Sequence, residues 1–437
     1  MVINRYKVIV GNLFSKNIIT RLHAKLVERP ISLSDKNVFK KQQILLDKIL
    51  HTAIKHTEYY RCRFINTCHV SINDFPIVDK HIVSEHFNDF VSDIAQNYCY
   101  SDACTGGSTG EPFHFFISGG FEHEFGEKRW ISYGYKKGEL ILALDGTKIE
   151  EELLSKRIYW KKKSEKDLPF GSWALSSLYL NEKTALIYCS YIFNLKPDYI
   201  RGYPSFVYEI ACHAERMLID VGSSVKAIEL TSETAYEYQI EKIKKVFHAK
   251  VYLQYGHTEA CVCANTFDDT YKYKVEPLYG YVEILDKNNN HVKEGEVGEL
   301  VVTTLHNRVM PLIRYRTGDM AEYGGKDDRF LYLNKVMGRS QDYLINRSKE
   351  KVLLTALIFA QHLIALGHIY KWQLEQFEPG IVVAYIIKGV GYTSNDEKEI
   401  EKLFNDIGNI DVEINYVESI ILTPRGKSKL LVQHLNF

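Results

Sequence analysis

The chain has 437 residues, with 55 Lys and Arg against 55 Asp and Glu, so its formal net charge at pH 7 is zero. This length exceeds the size at which a single hydrophobic core stops growing, so we expect at least two domains. The 45% hydrophobic and 25% charged fractions are ordinary globular values and exclude wholesale disorder. The balanced charge argues against a general nucleic-acid binder and against a polybasic membrane protein.

The eight cysteines form no dense framework, which in a long chain favours reduced cytosolic thiols over disulfides. Cys261 and Cys263 form a C-x-C pair without a second pair at zinc-ligand spacing, so we expect no structural zinc. The first ten residues do not continue into an apolar stretch, and the longest apolar run, 352–366, is too short to span a bilayer. The sequence therefore predicts a cytoplasmic protein without membrane insertion.

Residues 1 to about 95 have apolar side chains at three-to-four spacing, which predicts helices. A glycine- and hydroxyl-rich segment, 101–112, precedes a predicted strand at 113–117. Helix-like segments then alternate with short apolar runs up to residue 265. We predict strands in these runs, at 138–144, 185–189, 227–230 and 251–253. This alternation is typical of an α/β sheet.

Strand patterns dominate from residue 279 to 320, and the turn-rich run 286–290 predicts a hairpin between 281–285 and 298–304. After Arg339 the pattern changes to a compact mixture of helices and strands. We predict helices at 352–366 and 396–407, and strands at 370–377, 381–387 and 411–417. This stretch of about 95 residues is long enough for a separate small domain.

The first candidate site is the segment 105–112. Its backbone N–H groups and hydroxyls could wrap a polyphosphate, although the Gly-Lys-Ser/Thr ending of a Walker loop is missing. Gly106, Ser108 and Gly110 also fit the G-x-S-x-G pattern of a hydrolase nucleophile elbow, which requires a helix directly afterwards. Because a strand follows, the elbow is disfavoured, and a phosphate loop and an ordinary turn both remain open.

The second candidate is the segment 254–260, directly after a predicted strand, where ligands bind in α/β sheets. Tyr255 could stack on a base, Thr258 could donate to a phosphate, and Glu259 could bind Mg²⁺. A polar loop with a buried tyrosine is the alternative. Two later residues have similar ambiguity. Asp319 could accept from a ribose diol or cap a turn, and Lys427 could meet a phosphate or lie on the surface.

The order and spacing of these motifs resemble the adenylate-forming superfamily of acyl-CoA synthetases, nonribosomal adenylation domains and luciferases. Within it, the chain resembles the phenylacetate–CoA ligase family and its relatives in capsular polysaccharide clusters. Three more segments support this branch: 46–64 resembles its N-terminal helix, Trp130 to Gly146 resembles its Trp-x-x-x-Gly-x-x-x-Gly segment, and 201–205 matches its Gly-Tyr-Pro-Ser motif.

The resemblance implies an α/β fold with a large multi-sheet N-terminal domain, 1–340, and a small mobile α+β C-terminal lid domain, 341–437. It implies ATP- and Mg²⁺-dependent activation of a small-molecule carboxylate to an acyl-adenylate, with CoA as the expected acceptor. Transfer of the acyl group or of AMP to an amine or hydroxyl acceptor, as in capsular polysaccharide or secondary-metabolite biosynthesis, is an alternative, as is a non-catalytic nucleotide-binding protein. A homodimer is compatible with the resemblance.

The resemblance also assigns roles to individual residues. Lys427, Thr258 and Glu259 would be catalytic, with Lys427 bridging the carboxylate and the α-phosphate. Glu259 and Thr109 would bind Mg²⁺, and Gln341 would be the hinge of the lid. The residues that would bind the nucleotide are Thr105, Gly106, Gly107, Ser108, Thr109, Gly110, Glu233, Tyr255, Asp319 and Arg339. The residues that would line the acid pocket are Tyr133, Tyr135, Tyr203, Pro204 and His257.

Three positions depart from the usual family residues. Glu111 replaces a lysine in the phosphate loop, Gln341 replaces an acidic residue or lysine at the hinge, and Ser348 replaces a glycine beyond it. A zinc segment with cysteines, common in relatives, is missing from 327–335. These departures leave the acceptor of the second half-reaction open, whereas the remaining motifs support the first half-reaction.

Overall fold

The computed structural model describes residues 37–64, 70–105, 113–118, 121–339, 343–354, 357 and 363–435, without the side chains of Thr105, Phe121, Arg339 and Leu353. The helices in these residues are α1 (Val38–His56), α2 (Glu58–Arg61), α3 (Lys80–Glu85), α4 (Phe87–Phe90), α5 (Phe121–Ser132), α6 (Glu151–Ser155), α7 (Ala185–Leu195), α8 (Pro204–Met217), α9 (Glu237–Phe247) and α10 (Ser394–Lys402).

The strands before residue 260 are β1 (Tyr100–Thr105), β2 (Phe113–Ser118), β3 (Ile141–Asp145), β4 (Trp160–Lys162), β5 (Trp173–Ser176), β6 (Tyr199–Gly202), β7 (Ala227–Thr231) and β8 (Lys250–Gly256). The later strands are β9 (Cys263–Asn265), β10 (Tyr273–Val275), β11 (Gly280–Leu285), β12 (Val297–Thr304), β13 (Tyr315–Lys326), β14 (Leu331–Arg339), β15 (Tyr343–Ile345), β16 (Lys351–Leu353), β17 (Ile369–Glu378), β18 (Ile381–Lys388), β19 (Asp411–Tyr416) and β20 (Leu431–Gln433).

The chain divides into two compact units, each made of two separate stretches of sequence. The first unit combines the chain up to Ser132 with Gln254–Val336, and the second combines Tyr133–Leu253 with Met337–Phe437. Residues 341–437 thus group with 133–253 in the second unit. The predicted domain boundary at residue 340 stays a prediction.

In the first unit the strand order is β11-β12-β13-β14-β10-β9, followed by 254–256 at the end of β8. The pairs β11–β12 and β12–β13 are antiparallel, as the predicted hairpin requires. A second hairpin, β1–β2, brackets the glycine-rich segment, with Thr105 opposite Phe113. Helix α1 buries Leu46, Ile49 and Ala53, whose three-to-four spacing puts them on one face, against this unit's core.

In the second unit, β3 lies between β5 and β6, β6 pairs with β7, and all three pairings are parallel. A separate four-stranded sheet has the order β19-β18-β17-β20 and mixes antiparallel with parallel pairing. Its core includes Trp372, Leu374, Ile386 and Phe404. Parallel strands alternating with helices confirm the predicted mixed α/β class.

Two predicted elements differ from the structure. The run 185–189, predicted as a strand, begins helix α7, because an apolar run alone does not distinguish a buried helix from a strand. In the predicted helix 352–366, the start belongs to strand β16 and Ile364–His368 is a 3₁₀ helix. Leu354 and Leu357 are helical, and 355–356 and 358–362 lie outside the described residues. Within the described ranges, each helix is too short or too polar to cross a membrane.

Candidate functional site

In the first unit, the structure joins Tyr255 to Asp319. The Tyr255 hydroxyl donates to Oδ2 of Asp319 over 2.6 Å, across 64 residues of sequence. Burial and the charge of Asp319 raise the pKa of Tyr255 well above its ordinary value, so the phenol keeps the proton that it donates. Two predicted nucleotide contacts, the ring for the base and the carboxylate for the ribose, are therefore neighbours.

A bulge in β13 positions Asp319. Glu299 lies opposite Met320 and Val301 lies opposite Arg316, so 317–319 on β13 face the single residue Leu300. Gly318 at the centre of the bulge has φ +77°, a backbone conformation that favours glycine. The Thr317 hydroxyl donates to the Leu300 carbonyl over 2.9 Å and closes the bulge. The Asp319 N–H donates in turn to the Thr317 hydroxyl over 3.0 Å, so the bulge fixes the backbone at Asp319.

Glu259 lies in the turn after β8 and is only 8% exposed. The Tyr315 hydroxyl donates to its Oε1 over 3.2 Å, and Nδ1 of His257 lies 3.2 Å from its Oε2. Burial opposes ionisation of the Glu259 carboxyl, but His257 and the hydrogen bonds outweigh it and hold its pKa below the ordinary value. Glu259 is therefore a buried carboxylate that is ionised at neutral pH. Thr258, next to it, is exposed.

The donor set around Glu259 fits Mg²⁺ bound together with a nucleotide. Mg²⁺ in phosphate-transferring sites is held by one or two carboxylates plus phosphate oxygens and water. Among the residues that the structure describes, no three acidic, His or Cys side chains cluster closely enough to hold a metal by themselves. A single ionised carboxylate such as Glu259 would leave the remaining coordination positions to the phosphates of the ligand.

In the second unit, Lys427 follows a tight turn. The Gly426 N–H donates to the Thr423 carbonyl over 2.8 Å, and the Thr423 N–H donates to the Lys427 carbonyl over 3.0 Å. The Lys427 ammonium lies 5.7 Å from the centre of the Tyr203 ring, close enough for a cation–π contact. Burial raises the pKa of Tyr203 to about 12, so this phenol is protonated at neutral pH.

Glu233 connects three segments of the second unit. Its Oε1 accepts from the Ser428 N–H over 2.7 Å, and its Oε2 accepts from the Ser205 N–H over 3.2 Å. Ser205 lies in the first turn of α8, where backbone N–H groups have no partner within the helix. Burial raises the pKa of Glu233, against the effect of these hydrogen bonds. The carboxylate thus joins the loop after β7, the start of α8 and the Lys427 turn.

The predicted acid-pocket residues do not all lie together. Tyr203 contacts the Lys427 turn, and buried Pro204 begins α8 beside it. The ring centres of Tyr135 and Tyr199 are 5.8 Å apart. Tyr199 begins β6, whereas Tyr203 follows the end of that strand. Tyr133 stacks on Tyr252, with ring centres 4.0 Å apart. The structure therefore brings Tyr203 and Pro204 to the lysine but not Tyr135, and the pocket role of these residues stays a prediction.

Several predicted site residues are described in part or not at all. Gly106, Gly107, Ser108, Thr109, Gly110 and Gln341 lie outside the described residues. Thr105 ends β1 and Arg339 ends β14, each described by its backbone only. Of the remaining set, Tyr255, His257, Thr258, Glu259 and Asp319 belong to the first unit. Glu233, Lys427 and the pocket tyrosines belong to the second.

Four residues that contact the site were not singled out from the sequence: Tyr315, Ser205, Ser177 and Gly146. Ser205 and Gly146 end the two segments, 201–205 and 130–146, that carry the resemblance, so the sequence contains a signal for them. Tyr315 contacts Glu259 across 56 residues, and Ser177 bonds to Gly426 across 249. No local pattern could reveal these two contacts, although Tyr315 lies four residues before Asp319.

Comparison with solved structures defines the class of the fold. The chain matches 2-hydroxyisobutyryl-CoA ligase in complex with R3-HIB-AMP at a TM-score of 0.68, covering 93% of this chain and 94% of the ligase with 15% identity. It matches an acyl acid amido synthetase in complex with 2,4-DB at a TM-score of 0.61, covering 95% and 94% with 15% identity. The fold is that of the adenylate-forming enzymes.

Sequence comparison agrees. The chain is 22% identical to protein CapK of Staphylococcus aureus over an alignment of 457 residues, which covers 98% of this chain and 96% of CapK. It is 29% identical to a phenylacetate-coenzyme A ligase of Aromatoleum evansii over 164 residues, 35% of this chain and 36% of the ligase. No protein-family model matches the sequence. The predicted resemblance to the adenylate-forming superfamily and its phenylacetate–CoA ligase branch is confirmed.

Proposed function

We propose that this protein is an adenylate-forming ligase that uses ATP to convert a small-molecule carboxylate to an acyl-adenylate. The observation that carries the proposal is the hydrogen bond between Tyr255 and Asp319. It brings together the ring and the carboxylate that the resemblance assigns to the adenine and the ribose. The CoA ligase that shares the fold was captured in complex with R3-HIB-AMP, which supports the same chemistry.

In the proposed reaction, a carboxylate oxygen of the acid attacks the α-phosphorus of ATP. An O–P bond forms, the bond to the bridging oxygen breaks, and pyrophosphate leaves with its electron pair. Negative charge accumulates on the phosphate oxygens, where a nearby cation lowers the barrier. Lys427 would supply one such charge at the α-phosphate, and Thr258 a hydrogen bond. Mg²⁺, held by Glu259 and Thr109, would stabilise phosphate charge when bound.

The remaining nucleotide contacts follow the same assignment. Asp319 would accept hydrogen bonds from the ribose hydroxyls, with Arg339 beside the ribose. The loop from Thr105 to Gly110 would bind the phosphates through backbone N–H groups and hydroxyls. Tyr203, Pro204 and His257 would contact the acid. These roles are proposals.

The test of the activity is carboxylate-dependent exchange of labelled pyrophosphate into ATP, run on a panel of aliphatic and aromatic acids. We expect exchange well above background with at least one acid, and loss of about 100-fold or more for Lys427→Ala, the size of effect expected for one charge at the transition state. Lys398→Ala, on the exposed face of α10, is the matched control and should exchange normally. A folded protein without exchange on any acid would refute the proposal.

For the second half-reaction we propose transfer of the acyl group to CoA, with an amine as the second candidate acceptor. The second candidate is favoured by the acyl acid amido synthetase, whose coverage of the chain is as complete as that of the CoA ligase. A hydroxyl acceptor, for example in capsular polysaccharide or secondary-metabolite biosynthesis, is a further alternative. Mass spectrometry of products from matched reactions with CoA, with amino acids and with neither distinguishes these acceptors.

A further inference from the structure

We infer that Gly146, Ser177 and Glu233 are positioning residues that hold the turn carrying Lys427 in place from both sides. The consequence for catalysis rests on the proposed function, whereas the contacts themselves do not. All these residues belong to the second unit. Each of the three acts through the backbone around Lys427 and not by contact with a reacting atom.

The first contact is a direct approach of two backbones. A Cβ atom on Gly146 would lie 1.7 Å from the Arg425 carbonyl oxygen and 2.8 Å from the Gly426 nitrogen. In the other direction, a Cβ on Gly426 would lie 2.7 Å from Cα of Gly146 and 2.2 Å from Oγ of Ser177. Gly426 also has φ +72°, which favours glycine. No side chain fits between Gly146 and Gly426, so the position of the turn against Gly146 is tightly defined.

Hydrogen bonds fix the turn on each side of Lys427. The Ser177 hydroxyl donates to the Gly426 carbonyl over 2.8 Å, and the Tyr203 hydroxyl donates to the Arg425 carbonyl over 3.2 Å. Beyond the lysine, the Ser428 N–H donates to Glu233 over 2.7 Å. The residues before and after Lys427 are therefore held by different elements, and the starting point of its side chain is defined.

This arrangement gives Glu233 a role different from contact with the nucleotide. Its two carboxylate oxygens each accept from a backbone N–H, one at Ser428 and one at Ser205. The carboxylate thereby ties the lysine turn to the start of α8. Displacement of a catalytic group by about 1 Å can cost on the order of 100-fold in rate, so such an anchor affects catalysis without touching substrate.

The experiment compares Gly146→Ala with Gly367→Ala. Both variants add one methyl group, but a Cβ at Gly367 would have no atom within 4 Å. In Gly146→Ala we expect hydrogen–deuterium exchange at 425–428 to accelerate by about tenfold or more, the cost of one or two lost hydrogen bonds. In the pyrophosphate-exchange assay we expect kcat to fall by about 10- to 100-fold, while the KM for ATP stays within about twofold of the wild-type value. Gly367→Ala should match the wild type in both hydrogen exchange and pyrophosphate exchange.

A double-mutant comparison separates positioning from a general structural role. If Gly146 acts through Lys427, Gly146→Ala should add no further loss of activity in the Lys427→Ala background. A full additional loss there, or wild-type kcat and wild-type hydrogen exchange in Gly146→Ala, would overturn the inference.

Two further variants keep the test decisive if Gly146→Ala does not fold. Ser177→Ala and Glu233→Ala each remove hydrogen bonds without adding bulk, and each should accelerate hydrogen exchange at 425–428 in a protein with a normal circular dichroism spectrum. Unchanged hydrogen exchange at 425–428 in both variants would refute the anchoring role. Because hydrogen exchange requires no substrate, a protein that fails to adenylate any acid would refute the proposed function while leaving this test intact.

Discussion

The Tyr255 side chain offers two separable interactions, an aromatic face and a hydroxyl that donates to Asp319. A ring can stack on a base whichever group its hydroxyl contacts. The hydroxyl, by contrast, fixes the position of the carboxylate that we propose to bind the ribose. Substitutions at this residue can therefore measure the two contributions independently.

We expect Tyr255→Phe to raise the KM for ATP by about 10- to 100-fold, the loss of one hydrogen bond to a charged group, with little change in kcat. Tyr255→Ala should raise it further, because the stacking surface is lost too. Pyrophosphate exchange at varied ATP concentration measures the KM of both variants. Tyr273→Phe, in β10 of the same unit, is the control. Equal effects of the Phe and Ala variants would contradict the stacking role.

Glu259→Gln keeps the shape of the side chain and an acceptor for Tyr315 but removes the charge. We expect kcat for exchange to fall about 100-fold, or about 2.7 kcal/mol, and the Mg²⁺ concentration for half-maximal activity to rise. Titration of Mg²⁺ at saturating ATP measures the shift. Glu294→Gln, exposed in the same unit, should leave the Mg²⁺ dependence unchanged. A variant with reduced kcat but an unaltered Mg²⁺ requirement would argue against metal binding by Glu259.

At the scale of elements, helix α8 is joined to strand β17 by buried polar contacts. Glu209 of α8 pairs with Lys371 of β17, and their side chains are 7% and 10% exposed. The neighbouring Tyr208 hydroxyl donates to the Ile369 carbonyl over 2.9 Å. A buried ion pair is strongly destabilised when one partner is removed, because the other charge stays buried without compensation. This pair therefore links the four-stranded sheet to α8.

We expect Lys371→Met to lower the free energy of unfolding by about 3–5 kcal/mol, because the buried Glu209 loses its lysine partner. The double variant Glu209→Leu/Lys371→Met should recover most of this loss, since neither charge remains. Thermal and urea unfolding of the two variants and the wild type measure both changes. Lys398→Met is the exposed control. A double variant as unstable as the single one would show that packing, not charge, links the two elements.

The same pair predicts a pH dependence. Burial alone would raise the pKa of Glu209, but Lys371 and His213 outweigh it and hold that pKa below its ordinary value of 4.5. A lowered folded-state pKa stabilises the protein above the unfolded value, and this stabilisation is lost as the pH falls through the folded value. We expect the stability difference between wild type and Glu209→Leu/Lys371→Met to be constant from pH 7 to about 5 and to shift against the wild type below about 4.5.

At the scale of the whole molecule, the prediction is a lid, residues 341–437, that turns about Gln341 between two half-reactions. Proline at the hinge would restrict the backbone rotation that such a turn requires. We expect Gln341→Pro to slow product formation with the acceptor by at least about tenfold while pyrophosphate exchange falls less than about threefold. Equal losses in the two assays would contradict the hinge. Sedimentation velocity of the wild type tests separately whether the protein is a homodimer.

The sequence predicted local structure well where short-range chemistry determines it. The turn-forming residues at 286–290 were sufficient for the β11–β12 hairpin, because turn geometry depends on neighbours in the chain. The strand prediction for 185–189 was wrong because its apolar side chains are compatible with either a buried strand or a buried helix. In the folded protein these residues begin helix α7. Local pattern is informative where one conformation is favoured locally, and not where burial decides.

The order of the motifs by itself indicated the fold and the resemblance to the adenylate-forming superfamily, and singled out Tyr255, Glu259, Asp319 and Lys427. Only the tertiary structure decided which groups meet. It paired Tyr255 with Asp319 across 64 residues and attached Glu233 to the lysine turn across 195. The physical reason is that residue identity sets what a side chain can do chemically, whereas its partners depend on how distant segments pack. The contact of the Lys427 turn with Gly146 and Ser177 results from that packing, and no sequence motif predicts it.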